Sequence, residues 1–173
     1  VLAIQAKPYA DQRGYFVELS RQNVLADAGI TAQFVQNNRS SSKAGVLRGL
    51  HFQWPNPQGK LVRVDFGSVF DVAVDIRPES PQFGQWHGEI LSDQNHRQLW
   101  IPEGFAHGFL TLSEQAVVGY LCSDYYVGEN DRAIVWNDPD IGIDWPLESG
   151  IAPIISEKDA GAQSLAQWRA AAA

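Results

Sequence analysis

Short apolar and β-branched runs, each stopped within a few residues by Gly, Pro, Asn or Asp, fill this chain from about residue 15 to residue 136. That rhythm rules out a helical bundle and favours strands. The pattern predicts strands over 15–19, 33–37, 46–53, 60–66, 69–76, 86–91, 98–101, 108–112, 117–125 and 133–136. Gly67-Ser68, between two of these runs, has the form of a tight hairpin turn. Only two stretches read as helix. One is 21–28, with Ser20 as cap and Gly29 as stop; the other is 159–170, followed by an alanine tail expected to fray. So many short strands in 173 residues predict an all-β barrel or jelly roll with a few short helices, built as a single domain over 1–173.

The net charge of −7 argues against a nucleic-acid or membrane-surface binder, both of which need a basic footprint. Cys122 is the one cysteine, so no internal disulfide is possible and a reducing compartment fits. No apolar run has the length of a spanning helix and no signal-peptide pattern is present, so the expectation is a cytoplasmic protein.

Strand parity says where side chains point. Lys60 shares a face with Val62, Val64 and Phe66, so it either turns an ammonium inward or begins the strand and snorkels to water. Arg48 and His51 fall on opposite faces, unless a bulge at Gly49 brings both inward. His87 and His96 have polar neighbours and read as surface residues. His51 and His107 sit among glycines and aromatics. Their surroundings, Gly45 to His51 as G-x5-H and Pro102-x-Gly104-x2-His107, resemble the two motifs of the cupin barrel. The second histidine of the first motif is replaced by Gln53, and the expected Glu is missing. Two histidines alone make a poor metal site, so the barrel reads as one that works without a metal.

Seven stretches in register carry a closer resemblance. They are Asp11-Gln-Arg-Gly-Tyr-Phe-Val-Glu18, Gly45-Val-Leu-Arg-Gly-Leu-His-Phe-Gln53, Gln58-Gly-Lys-Leu-Val62, Asp71-Val-Ala-Val-Asp-Ile-Arg77, Gly104-Phe-Ala-His-Gly-Phe109, Trp136-Asn-Asp-Pro139 and Ser156-Glu-Lys-Asp159. Together they resemble the dTDP-4-dehydrorhamnose 3,5-epimerase family. The resemblance implies inversion at C3 and C5 of a dTDP-linked 4-keto-6-deoxy sugar, with no metal and no organic cofactor. Both carbons flank a ketone, so such a site needs a base, an electrophile for the enolate oxygen, and an acid on the opposite face.

Carried over residue by residue, the resemblance makes His51 the base, Tyr120 the acid and Lys60 the enolate-facing cation. Asp159 becomes the carboxylate behind His51, with inward-facing Asp71 a rival for that role. Tyr125 and Tyr126 are alternatives to Tyr120, which is followed by Leu121-Cys122 where the family often has Lys-Thr. Arg48 is implied near the diphosphate and sugar, and His107 as a polar contact. Arg13, Glu18, Gln36, Asn37, Asn38 and Lys158 fall on further substrate-binding positions, and Asp131 stands where the family has a glutamate. Arg13 and Glu18 belong to a segment that pairs with a neighbouring subunit, which implies a homodimer with shared sites. Thymine stacking is expected from among the tryptophans. Readings that compete with a double epimerase are a single-carbon epimerase, a metal-dependent cupin enzyme and a non-catalytic sugar-binding cupin.

Overall fold

The computed structural model describes residues 1–147 and 150–172. Its elements in chain order are β1 (Leu2–Gln5), β2 (Pro8–Asp11), β3 (Gly14–Val17), α1 (Gln22–Asp27), β4 (Gln36–Lys43), β5 (Leu47–Gln53), β6 (Lys60–Phe66), β7 (Ser68–Asp75), β8 (Trp86–Ser92), β9 (Arg97–Ile101), β10 (Phe105–Thr111), β11 (Gln115–Cys122), β12 (Asp131–Ala133), α2 (Glu157–Ala160) and α3 (Leu165–Ala172). Two five-stranded antiparallel sheets face each other, in the orders β1-β9-β6-β11-β4 and β12-β5-β10-β7-β8, while β2 and β3 form a separate hairpin. This is the all-β, cupin-like arrangement expected from the sequence. Among the described residues, no helix is long and apolar enough to cross a membrane.

The space between the sheets is filled by Val62 and Val64 of β6, Val69 and Ala73 of β7, Leu99 and Ile101 of β9, Phe109 of β10 and Val118 of β11. The central strands are apolar on their other face too, because each sheet is also covered outside. Val72, Val74 and Leu110 turn outward under Ile134, Trp145, Leu165 and Trp168 of the C-terminal segment. Leu61 and Trp100, on the other sheet, are covered by Leu25 and Ile30. Burying one such aliphatic side chain contributes about 1.5–3 kcal/mol, so the segments after β12 and before β4 are part of the core.

Several details differ from expectation. Gly67-Ser68 does not close a hairpin: β6 and β7 lie in different sheets, and Gly67 (φ +77°) is the corner where the chain crosses between them. A Cβ on Gly67 would meet the Gln115 carbonyl oxygen at 2.1 Å. Helix α1 starts from Arg21, with no side-chain cap from Ser20. The expected long C-terminal helix is two, α2 and α3, separated where Gln163 bridges to Ile134. The end of the alanine tail, Ala173, lies outside the described residues.

Candidate active site

Strand β5 carries the bulge that parity required. His51 pairs with His107 of β10, but Arg48 pairs with Phe109, so β5 holds one extra residue between them. Gly49 takes φ +120°, and a Cβ there would lie 2.5 Å from the Gly108 Cα. Only glycine lets the two backbones approach so closely. The extra residue resets the alternation. Arg48 then reaches across to β4, where its Nε donates to Ser42 Oγ at 2.9 Å and its other donor group meets the Ser41 carbonyl.

Behind His51 stands Asp159, in the first turn of α2. Its Oδ1 lies 2.6 Å from His51 Nε2, and its Oδ2 accepts from the Gly49 amide at 3.3 Å. Ser156 caps α2 by accepting from the Asp159 amide, which fixes the turn. Burial pushes the Asp159 carboxyl up. The His51 hydrogen bond and charge, the Gly49 amide and Ser156 outweigh it, and the group sits below the ordinary carboxylate range. With Nε2 committed to Asp159, Nδ1 is the imidazole nitrogen left for chemistry. The rival carboxylate, Asp71, is engaged elsewhere: its Oδ2 lies 2.8 Å from His107 Nε2.

The facing wall comes from the other sheet. Lys60, Cys122 and Gln36 sit side by side on β6, β11 and β4, and the next inward-facing level is Val62, Tyr120 and Asn38. Gln36 donates to Asn38 Oδ1 at 3.0 Å, and Asn38 donates in turn to the Cys122 sulfur at 3.6 Å. Burial lowers the Lys60 ammonium below its ordinary value, against attraction from Cys122, Asp71 and Asp131. Burial raises the Tyr120 phenol, with Cys122 adding to it and Asn38 and Arg48 opposing. A phenol held protonated thus stands beside the lysine on one wall of the pocket. That suits proton donation and the stabilisation of an oxyanion.

Asp131 organises the mouth. It forms an ion pair with Lys158 and accepts from the Tyr126 hydroxyl at 3.0 Å. The Tyr126 amide is held by Gln36 Oε1 at 2.9 Å.

These groups enclose an open pocket of about 530 Å³. Of the residues expected from sequence, Gln36, Asn37, Asn38, His51, Lys60, Tyr120, Asp131 and Lys158 line it. Asp159 backs His51, His107 sits beside His51, and Arg48 lies on Ser42 of β4. Arg13 and Glu18 are not brought to the pocket within one chain. Arg13 is at the tip of the β2–β3 hairpin, paired with Asp11, and Glu18 is paired with Arg21. None of the six tryptophans lines the pocket, so stacking within this chain does not fall to them; Tyr126 is there instead. Tyr126, Arg39, Gln58 and Gln53 are lining residues that were not expected from sequence as binding groups. Gln53, at the cupin metal-ligand position, spends its amide on the backbone of Asn56, Tyr125 and Val127. Among the described residues, no three His, Cys, Asp or Glu side chains cluster as a metal site.

The lining cations are Arg39, Lys60 and Lys158; Asp131 in the lining pairs with Lys158 and Asp65 with Arg39 at 3.3 Å, so one positive charge is in excess in a chain whose net charge is −7. The local field therefore favours an anion. A larger hollow of about 930 Å³ lies at the other end of β4 and β6, but its lining contains no histidine or tyrosine.

The family model described as dTDP-4-dehydrorhamnose 3,5-epimerase matches residues 1–167. The chain is 54% identical over 158 residues to the dTDP-4-dehydrorhamnose 3,5-epimerase of Methanothermobacter thermautotrophicus, covering 91% of this chain and 85% of that protein. It is 54% identical over 169 residues to that of Salmonella typhimurium, covering 96% and 91%. Among solved structures, a dTDP-6-deoxy-D-glucose-3,5-epimerase from Legionella pneumophila in complex with dTDP-4-keto-L-rhamnose matches with a TM-score of 0.91. The identity is 52%, over 95% of this chain and 87% of that one. A 3′-monoepimerase from Streptomyces bikiniensis in complex with dTDP-quinovose matches with a TM-score of 0.87 and 31% identity, over 95% and 83%. With the model match spanning nearly the whole sequence, this chain belongs to the dTDP-4-dehydrorhamnose 3,5-epimerase family.

Proposed function

We propose that the protein converts dTDP-4-dehydro-6-deoxy-D-glucose to dTDP-4-dehydro-L-rhamnose, inverting C3 and C5 through enolates, as a step of dTDP-L-rhamnose biosynthesis in the cytoplasm. The whole chain acts as one epimerase domain and uses no metal or organic cofactor. One observation carries the reading: an imidazole backed by a buried carboxylate at 2.6 Å faces a lysine and a tyrosine from the opposite sheet. His51 takes the proton next to the C4 ketone. Asp159 holds its tautomer and stabilises the imidazolium that forms. Lys60 receives the charge on the enolate oxygen, and Tyr120 returns a proton to the opposite face. Around this centre, Gln36, Asn37, Asn38 and His107 bind the sugar nucleotide through polar contacts, and Arg48 and Lys158 meet its diphosphate end. Asp131 acts indirectly, by holding Lys158 and Tyr126, and the Tyr126 ring offers a stacking face at the mouth.

The active form is a homodimer in which the hairpin delivers Arg13 and Glu18 to the neighbouring pocket. Tyr9, Tyr15 and Phe16 of that hairpin are 60%, 59% and 68% exposed, which a partner surface would cover. A double epimerase is favoured over a single one because the identity to the double epimerase from Legionella is 52%, against 31% to the monoepimerase. Proton NMR of the turnover in deuterated buffer tests this. Deuterium is expected at both C3 and C5 with an L-configured product. Exchange at a single carbon would assign a monoepimerase, and no exchange would remove the enolate mechanism.

A further inference from the structure

Asp71 and His107 form a second carboxylate–imidazole pair, and the proposed reaction gives its carboxylate no role. Asp71 is fully buried, and His107 keeps 8% of its side chain accessible. The Asp71 Oδ2 lies 2.8 Å from His107 Nε2, while its Oδ1 is buried with no hydrogen-bond partner among the described residues. The Lys60 ammonium attracts Asp71 without hydrogen-bonding it, and the residues opposite it in its own sheet do not satisfy it either. Phe109, opposite on β10, is apolar, and Glu89, opposite on β8, is an acceptor held by Arg97. Asp71 lies on β7 between Val69 and Ala73, in the apolar layer between the sheets. A carboxyl group buried there costs desolvation that apolar packing would not, so a purely structural role is a poor explanation for it. His107, meanwhile, is the direct cross-strand partner of His51 on the same sheet. Opposed side chains on one face have Cβ atoms about 4.5–5.5 Å apart, so the two imidazoles are neighbours.

We propose that Asp71 is a positioning residue for the epimerase reaction. It holds His107 with the proton on Nε2, so that Nδ1 stands toward the sugar as a hydrogen-bond acceptor. In this arrangement His107 Nε2–H donates and the Asp71 carboxylate accepts. The bare Nδ1, with no partner among the described residues, then receives a sugar hydroxyl beside the carbon that His51 deprotonates. Two carboxylate–imidazole pairs thus stand next to each other on β5 and β10: Asp159–His51 for proton transfer and Asp71–His107 for orientation. The inference rests on the function proposed above.

Nitrogen-15 NMR of the histidine-labelled protein, with the four imidazoles assigned by substitution, tests the pair without reference to turnover. His107 is expected as the Nε2–H tautomer, and in Asp71→Asn it should lose that bias. The Asp71→Asn kcat should fall about 10- to 100-fold, as for other residues that orient a working histidine. Affinity for dTDP, which lacks the sugar, should hold and report that the variant is folded. In a His107→Gln background, adding Asp71→Asn should cost nothing further, because both changes remove one interaction. A protonated Nδ1 in the unsubstituted protein, an unchanged tautomer in Asp71→Asn, or losses that multiply in the double variant would each overturn the proposal. If Asp71→Asn fails to bind dTDP, the spectrum of the unsubstituted protein still decides the tautomer, and Asp71→Ser takes its place in the cycle. Failure of the enzymatic reading would show separately, as no solvent exchange by unsubstituted protein.

Discussion

Lys60 shows how one side chain carries cost and function together. Strand parity put it on the inward face, and its place in the pocket wall settles that choice against snorkelling to solvent. Burial lowers its ammonium below the ordinary lysine value of 10.5. Burying the ammonium therefore costs the fold stability at low and neutral pH. That penalty fades as pH rises through the folded value towards the unfolded one. Lys60→Met should accordingly unfold at higher urea concentration than the parent at neutral pH, with the gap closing at alkaline pH. Activity should move the other way. Lys60→Ala should lose about 10²–10³-fold in kcat, the scale of a lost oxyanion donor, with little change in dTDP affinity. Lys60→Arg should shift the alkaline limb of the kcat profile to higher pH, because a guanidinium stays charged there. A limb that does not move would assign it to another group.

At the scale of elements, legibility followed packing. Strand β6 was readable to the residue, and β5 and β7 to within one, because apolar positions on both faces leave little choice of element. Strand β4 was misplaced as 33–37 because its inward positions are Gln36, Asn38, Ser40 and Ser42, a polar series with no hydrophobic alternation. Those positions include part of the pocket wall, so the pattern failed where binding overrides burial. Strands β1 and β2 are four residues each and exposed over most of their length, and both were missed; the apolar run of β1, Leu2-Ala-Ile, is too short to identify an element. The site divides the same way. His51 and the Gly49 bulge could be argued from spacing. Asp159 could not, since it reaches His51 from 108 residues away, through the docking of a four-residue helix. Only the family resemblance pointed to it. Tyr126 lies on an aperiodic loop and gave no signal beyond its nearness to Tyr120.

At the scale of the whole molecule, each sheet supplies one wall of the pocket. One supplies His51 and its neighbour His107, the other Lys60 and Tyr120, and the pocket lies where they meet at one end. Arg13 and Glu18 lie outside the pocket of their own chain, and in the proposed dimer they complete the neighbouring one. Light scattering at micromolar concentration should give the dimer mass, and a fully active monomer would remove both residues from the site. The central claim is the division of labour between base and acid on opposite walls, and isotope incorporation by two variants tests it most directly. His51→Ala should lose solvent exchange and inversion together, by about 10²–10⁴-fold. Tyr120→Phe should still take up deuterium at C3 or C5, because His51 can return a solvent-derived proton to the face it left, but should invert little. Inversion retained in Tyr120→Phe, or exchange retained in His51→Ala, would contradict the account.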